Sequence, residues 1–347
     1  MNLPESLRRF QTVLERFLLL WLVLLCLAAY CWQDWFGGRS GDVPGVDPFL
    51  LTKPWLKAMI AVTMLAIGSL LPREEVEQVF RRWPTVLGGT AIQYVSMPLL
   101  AYGIGRLFGL EGPWMIGIVM VGCVPGAMAS NVLTLIARGN VSYSVSLTTS
   151  ATVLSPLVVP WVLWLALNQM VENFPVGEVF VGLCWMVVGP VVVGHGLSRI
   201  WPGWATAARM VGAIIANLTI LWIIAVVVAA NRDKMSELNG SLLAALVLVN
   251  LGGYAAGYTG GSVMKLPASM RRALTLEVGM QNAGLGTVLA TSLFPDQAVA
   301  LPAALYTFGC MFTGTMLARA WAEWEGQQEE SSLAEGESES DQGVGSG

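Results

Sequence analysis

The stretch Leu276–Gly286 reads "LEVGMQNAGLG", and it places polar groups inside sequence that is apolar enough to cross a bilayer. Glu277, Gln281 and Asn282 supply one carboxylate and two carboxamides, and three glycines among them let the backbone leave the helix. A carboxylate deep in a bilayer costs at least ~2.5 kcal/mol, so such a group is functional by default. The stretch therefore predicts a broken transmembrane helix with a binding site at the break.

The rest of the chain supports a membrane protein. Of its 347 residues, 55% are hydrophobic and only 12% are charged, whereas about a quarter of a soluble domain is charged. We predict an all-α integral membrane protein with ten transmembrane helices, arranged as two inverted five-helix repeats in which helices four and nine are broken and cross. The predicted spans are residues 15–33, 49–71, 85–108, 113–137, 141–166, 177–198, 206–230, 241–263, 269–293 and 297–320.

The charges predict orientation and domain limits. With ten spans and an inner N-terminus, 13 of the 19 basic residues fall on the inner side, which favours both termini in the cytoplasm and a bacterial inner membrane. Residues 1–14 are predicted to be an interfacial lead, residues 15–322 the transporter unit, and residues 323–347 a disordered tail that holds eight of the 23 acids. Without the tail the body is only slightly basic, which argues for membrane lipid and against nucleic acid as a partner.

Span four contains a second break at the same ordinal place in its half. It reads "GCVPGAMASNVLTLIARG", where Pro125 and Gly126 interrupt the helix and Ser130 and Asn131 follow. Corresponding interrupted spans in two halves point to the binding site of an inverted-repeat transporter. Carbonyls of the unwound backbone can coordinate a cation, while the N-terminal ends of the half-helices favour an anion. The pair of breaks predicts a site for a cation-coupled anion.

Oxygen-bearing side chains near the breaks indicate which cation this is. Ser144 and Thr148 are four residues apart in span five and share a helix face, although each hydroxyl alone could simply bond its own helix carbonyl. Together with Ser130, Asn131 and Glu277 they form a set with many oxygens and one full charge, which suits Na⁺ better than a soft metal. Gln93 in span three is either a further coordinating amide or a contact between helices.

These residues resemble the bile acid:sodium symporter family. The likeness lies chiefly in "PGAMASNVLTLIARGNVSYSVSLTTSATVLSPLVVP" (125–160) and "EVGMQNAGLGTVLA" (277–290), with "QYVSMPL" (93–99) in support. The resemblance implies a panel domain and a core domain, with helices four and nine unwound where they cross. It also implies two sodium ions and no organic cofactor.

The resemblance assigns residues to each ion. The first sodium would bind Ser130, Asn131, Ser144, Thr148 and Glu277. The second would bind Gln93, Glu277 and Gln281, with backbone oxygens near Val278 and Met280. Glu277 would then lie between both ions, whose positive charge offsets its desolvation. The predicted substrate-binding residues are Met128, Ala129, Asn282 and Cys310.

Three departures from the family concern the substrate. The chain has "PGAM" where "PGGT" is common, Gly139-Asn140 where "GD" is common, and Gly309, Cys310 and Met311 in place of a Trp-His-Asn run. None of these touches the predicted sodium ligands, but the first and third alter the cavity lining. The predicted substrate is therefore an organic anion, either a small carboxylate or a bile-acid-like molecule.

The sequence supports three readings of function. The first is a sodium-coupled symporter that imports the organic anion by alternating access. The second is a proton-coupled transporter with Glu277 as the proton carrier, and the third is a membrane sensor that binds a solute and signals through its tail. An enzyme is not expected, because no nucleophile–base pair or metal cluster gathers in the sequence. The oligomeric state is left open.

Overall fold

The structure, a computed structural model, describes residues 5–36, 46–168 and 170–344. Across these ranges the chain is almost entirely helical and contains no strand, only an isolated bridge between Gly126 and Gln281. The all-α prediction is therefore confirmed. The α-helices are α1 (Glu5–Arg16), α2 (Leu18–Phe36), α3 (Pro48–Thr52), α4 (Leu56–Leu70), α5 (Arg73–Arg81), α6 (Trp83–Leu107), α7 (Gly112–Cys123), α8 (Ala129–Ile136), α9 (Val141–Leu167), α10 (Val176–Leu183), α11 (Gly189–Ile200), α12 (Pro202–Ala230), α13 (Gly240–Val263), α14 (Ala268–Gly279), α15 (Ala283–Leu293) and α16 (Leu301–Val344).

Each of the ten predicted spans overlaps one helix or a set of consecutive helices. Among the described residues, seven segments are long and apolar enough to cross a membrane by length and composition. They are Leu18–Phe36, Pro48–Leu70, Val141–Leu167, Val176–Ile200, Pro202–Ala230, Gly240–Val263 and Gln297–Glu325. The protein is thus a multi-pass membrane protein, while ten crossings and the inverted repeat remain predictions.

Proline places the start of several of these helices. Pro84, Pro113, Pro190 and Pro202 each lie in the first turn of a helix. The first amides of a helix have no partner within it, and proline lacks an N–H and has a φ angle suited to helix, so it is well tolerated there. The loops between spans can therefore be short.

Helix α14 lies at the centre of the molecule. Every residue from Arg272 to Gly279 is buried, as expected for a helix surrounded on all sides. Its neighbour α13 approaches it closely through glycines: a β-carbon on Gly257 would lie 2.7 Å from the Leu274 carbonyl oxygen, and one on Gly253 would lie 2.9 Å from the Gly279 Cα. Gly253 and Gly257 therefore allow α13 and α14 to pack closely.

Both predicted breaks are present. Residues 124–128 separate α7 from α8, and residues 280–282 separate α14 from α15. The two segments pair in antiparallel fashion, because Ala127 N donates to Met280 O (2.8 Å) and Asn282 N donates to Pro125 O (2.8 Å). Backbone groups freed from the helices are thus satisfied by each other, which the absence of water in a bilayer requires.

The two ends of the chain differ in how well the predicted limits fit. The lead forms helix α1, which ends at Arg16, two residues beyond the predicted limit at residue 14. The predicted limit at residue 322 does not coincide with a structural boundary, since α16 continues to Val344 and Glu325 pairs with the buried Arg272 at 2.5 Å. Extending an existing helix needs no new nucleus, and Glu, Gln and Ala are good helix formers, so a backbone predicted to be disordered is helical here.

Candidate ion and substrate site

The candidate site lies where the two unwound segments meet. Glu277 is in the last turn of α14, one turn before the break, and its side chain is fully buried. Helices α6, α8 and α9 bring Gln93, Ser130 and Thr148 to the same region, and all three side chains are at most 1% exposed. Gln281 joins them through a contact with Gln93, from which it is 188 positions distant in the chain.

The carboxylate of Glu277 is satisfied on one oxygen only. Oε2 accepts hydrogen bonds from Ser130 Oγ (2.5 Å) and Thr148 Oγ1 (2.7 Å). Oε1 is buried, and no hydrogen-bond donor in the described part of the chain reaches it. An ionised carboxylate can accept about four hydrogen bonds, so this oxygen has capacity for a cation.

The unsatisfied oxygen points to the break in span four. A β-carbon on Gly126 would overlap Glu277 Oε1 and lie 3.3 Å from Gln93 Nε2. Only glycine fits at this position, because any side chain would fill the space next to the carboxylate. Oε2 thus contacts two residues predicted for the first sodium, while Oε1 lies beside Gly126, which is also close to the Gln93 amide predicted for the second sodium.

The first predicted sodium set is gathered only in part. Ser130, Thr148 and Glu277 are in direct contact, as described above. Ser144 lies one turn before Thr148 and accepts a hydrogen bond from Thr134 Oγ1 (3.2 Å). Asn131 Nδ2 lies 3.8 Å from Met128 Sδ, whereas its Oδ1 is buried and, among the residues placed by the structure, has no partner.

The second predicted set is also close together. Gln93 Nε2 donates to Gln281 Oε1 (3.4 Å), and Gln281 Nε2 donates to the Val278 carbonyl (2.7 Å). The Met280 carbonyl accepts from Ala127 N across the two breaks. Both carbonyls predicted as sodium ligands are therefore hydrogen-bonded, although a carbonyl oxygen keeps a second lone pair.

The predicted substrate residues fall in two places. Ala129 begins α8 and Met128 directly precedes it, while Asn282 caps α15, where its Oδ1 accepts from Leu285 N (3.1 Å). Two helix N-termini thus lie beside the crossing, a geometry that favours an anion. Cys310 is on α16, and its described side-chain hydrogen bonds join it to Thr307, Tyr254 and Thr313 rather than to the other three residues.

Two residues near the breaks were not predicted from the sequence to belong to the site. Asn250 Nδ2 and Tyr306 OH both donate to the Gly279 carbonyl, at 2.8 and 2.7 Å. The only sequence signal is Asn250 itself, a lone carboxamide in the apolar run "LVLVNLGGY" (246–254). Tyr306 carries no such signal, because a tyrosine in an apolar helix is ordinary.

Arg272 is a buried basic residue on the same helix as Glu277, but it does not form an ion pair with it. Its guanidinium donates to the Ala137 carbonyl (3.0 Å), pairs with Glu325 (2.5 Å) and lies 6.0 Å from the ring centre of Trp321. A structural ion pair between Arg272 and Glu277, five residues apart, would need a poor helical contact. Glu277 is thus left without a described positive charge beside it.

A buried polar site at the crossing of two broken helices defines a class of protein, the membrane transporters. The comparisons with known proteins give the family. Residues 57–238 match the Sodium Bile acid symporter family, so the chain belongs to that family. It is a family of transporters and not of enzymes.

The relatives are sodium-linked transporters by name. The sodium-dependent transporter YocS of Bacillus subtilis is 31% identical over 276 residues, which are 79% of this chain and 85% of the relative. The chloroplastic "probable sodium/metabolite cotransporter BASS1" of Arabidopsis thaliana is 28% identical over 78% of this chain and 67% of its own. Sodium/bile acid cotransporter 4 of Homo sapiens is 25% identical over 74% of this chain and 59% of its own.

Proposed function

We propose that this protein is a sodium-coupled symporter that imports an organic anion by alternating access. The observation that carries the proposal is the position of Glu277, a fully buried carboxylate whose two oxygens have different surroundings. One oxygen has two hydroxyl donors, and the other is buried with none among the described residues. A buried carboxylate without a cation costs several kcal/mol, on the order of the effective penalty for one ion in a protein interior.

The proposed ion ligands are those that the family resemblance assigns. One Na⁺ would bind near Ser130, Asn131, Ser144, Thr148 and Glu277, and a second near Gln93, Glu277, Gln281 and the carbonyls of Val278 and Met280. The unsatisfied Oδ1 of Asn131 supports the first assignment, because it is a buried oxygen without a described donor. Oxygen ligands from hydroxyls, amides and one carboxylate are the set that a hard cation prefers.

The proposed substrate is an organic anion that binds at the N-termini of α8 and α15, near Met128, Ala129 and Asn282, with Cys310 on the side of α16. The positive ends of the two helix dipoles would stabilise a carboxylate there. Ala127 and Met128 add apolar bulk and remove a hydroxyl relative to the usual family pattern. This lining favours a small carboxylate over a bile-acid-like molecule.

Ten crossings as two inverted repeats would supply the transport movement. Spans four and nine then run in opposite directions, which agrees with the antiparallel pairing of their breaks. Two Na⁺ with one monocarboxylate would carry one net positive charge inward. The membrane potential would then contribute about 2.3 kcal/mol per 100 mV to uptake.

The test is a sodium titration of thermal stability on the purified full chain. Wild type and Glu277→Gln are titrated with NaCl against matched potassium and choline chloride. A bound ion stabilises the folded state by RT ln(1 + [L]/Kd), so the expected result is a saturable rise in Tm that only sodium gives and that the variant loses. Equal behaviour of all three salts in wild type would contradict the proposal, and uptake driven by a pH gradient would then assign Glu277 to proton transfer.

A further inference from the structure

At the end of α14, the carbonyl of Gly279 accepts hydrogen bonds from two side chains. A helix leaves its last carbonyl groups without partners, and in a membrane each one must be satisfied by the protein. Gly279 O is one of these groups, and it accepts two side-chain hydrogen bonds. The donors are Tyr306 OH at 2.7 Å from α16 and Asn250 Nδ2 at 2.8 Å from α13.

The donor amide is itself held in one orientation. Because a carbonyl only accepts, Nδ2 of Asn250 must face Gly279, and Oδ1 must then face the other way. Thr313 Oγ1 donates to this Oδ1 at 2.6 Å, and Tyr254 OH lies 3.1 Å from the same Thr313 hydroxyl. The four side chains form a continuous network between α13 and α16, in which Asn250, Tyr254 and Tyr306 are buried and Thr313 is half-buried.

Close packing restricts the same backbone. A β-carbon on Gly279 would overlap the ring of Tyr254, so the chain lies directly against that ring. Tyr254 and Tyr306 are 7% and 1% exposed, which leaves little room for the segment to shift. None of the described hydrogen bonds of Asn250, Tyr254, Tyr306 or Thr313 reaches Glu277, Gln93 or Gln281.

We propose that Asn250, Tyr254, Tyr306 and Thr313 are positioning residues that hold the Gly279 carbonyl and thereby set the Val278 and Met280 carbonyls on either side for sodium. The inference rests on the proposed function, because it names residues that shape the second ion site without binding the ion. Ion selectivity depends on ligand geometry, so a change of a few tenths of an ångström in this backbone alters both affinity and selectivity. Two helices thereby influence the ion through one peptide group.

The test removes single hydroxyl groups from the network. Tyr306→Phe and Thr313→Val are compared with wild type in sodium and lithium titrations of Tm. The expected result is a rise of about two- to tenfold in the sodium concentration that gives half the shift, as for the loss of one buried hydrogen bond, together with an altered ratio of sodium to lithium midpoints. Tyr143→Phe is the matched control, because Tyr143 OH also donates to a backbone carbonyl, that of Thr85 at 3.1 Å, and Tyr143 is 2% exposed.

The outcomes separate this inference from the proposed function. If sodium does not raise the Tm of the wild-type protein, the proposed function is contradicted. A wild type that responds, with Tyr306→Phe and Thr313→Val keeping its midpoint and its sodium-to-lithium ratio, overturns the positioning network alone. If Tyr306→Phe does not fold, Thr313→Val decides. Its hydroxyl does not contact Gly279 directly but acts through the side chain of Asn250. A Tyr143→Phe control with the same change in selectivity would also overturn the inference, because any lost hydroxyl would then suffice.

Discussion

At the scale of single residues, Gly126 decides how much space is left beside the carboxylate of Glu277. A β-carbon there would overlap Oε1, the oxygen that has no described donor. We expect Gly126→Ala to raise the sodium concentration for half-maximal stabilisation about five- to 150-fold, since overpacking a buried site costs about 1–3 kcal/mol. Sodium titration of Tm measures this midpoint.

Gly103→Ala is the control for this prediction. Gly103 also lies in a predicted transmembrane helix, but a β-carbon there would meet nothing within 4 Å. We expect its sodium midpoint to equal that of wild type. A Gly126→Ala protein that folds and binds sodium as wild type does would show that the space beside Oε1 is not used by the ion.

Thr148 allows a second test, because its hydroxyl contacts the carboxylate directly. It lies 2.7 Å from Glu277 Oε2 and 3.1 Å from the Ser144 carbonyl. We expect Thr148→Val to raise the sodium midpoint about tenfold or more, since a hydrogen bond to a charged group contributes about 1.5–3 kcal/mol. Thr63→Val is the control: Thr63 is equally buried, and its hydroxyl bonds only its own helix, at Met59 O. Equal midpoints in both variants would count against the first sodium site.

At the scale of helices, Asn282 has two proposed tasks that a comparison can separate. Its Oδ1 caps α15 through Leu285 N, in the same way that Asn239 caps α13 through Leu242 N at 2.9 Å. Loss of such a cap costs about 1 kcal/mol. We expect Asn282→Ala and Asn239→Ala to lose similar stability, but only Asn282→Ala to lose sodium-dependent uptake of a carboxylate such as pyruvate.

The measurement pairs Tm with uptake of the labelled anion into proteoliposomes under a sodium gradient. Asn282→Ser, which keeps a capping oxygen, is expected to restore Tm without restoring uptake. Uptake that follows Tm across all three variants would assign Asn282 a capping role alone.

Helical breaks could be predicted from the sequence because their cause is local. Pro125 and Gly126 interrupt one apolar run, and a lone carboxylate with glycines marks the other. The pairing of the two breaks through Ala127 and Asn282 joins residues more than 150 positions apart, and no local pattern encodes it.

The other residues of the site likewise divide into those that a local sequence pattern reveals and those that only the fold brings together. The oxygen-rich residues Ser130 and Thr148 stand out because polar groups are rare in such spans. The donors to Gly279 do not, because Tyr306 is an ordinary aromatic residue until the fold places α16 beside α14. For the acidic tail, composition reports low hydrophobicity, but it does not report that α16 already supplies the nucleus from which a helix can extend.

At the scale of the whole molecule, α16 connects the buried centre to the acidic tail. Glu325 pairs with Arg272 on α14, whose guanidinium also donates to the carbonyl of Ala137 just after α8. The half-helices α8 and α14 and the middle of α16 therefore meet at one charged group, the guanidinium of Arg272, which is 5% exposed. Removing one partner of a buried charge is costly, although the partial exposure of Glu325 reduces the effect.

Two deletions separate this contact from the tail beyond it. We expect removal of residues 326–347 to leave Tm and sodium-driven uptake unchanged, because Glu325 and Trp321 remain and the proposed ion and substrate residues lie elsewhere. Removal of residues 323–347 also deletes Glu325, and we expect a fall in unfolding free energy of about 1–3 kcal/mol, as for a partly exposed charge pair. Glu325→Gln in the full chain should reproduce that fall if the ion pair is its cause. A sensor whose tail carries the signal would behave differently. Neither the full chain nor the chain without residues 326–347 would show uptake, and removal of these residues would abolish the cellular function while sodium binding is kept.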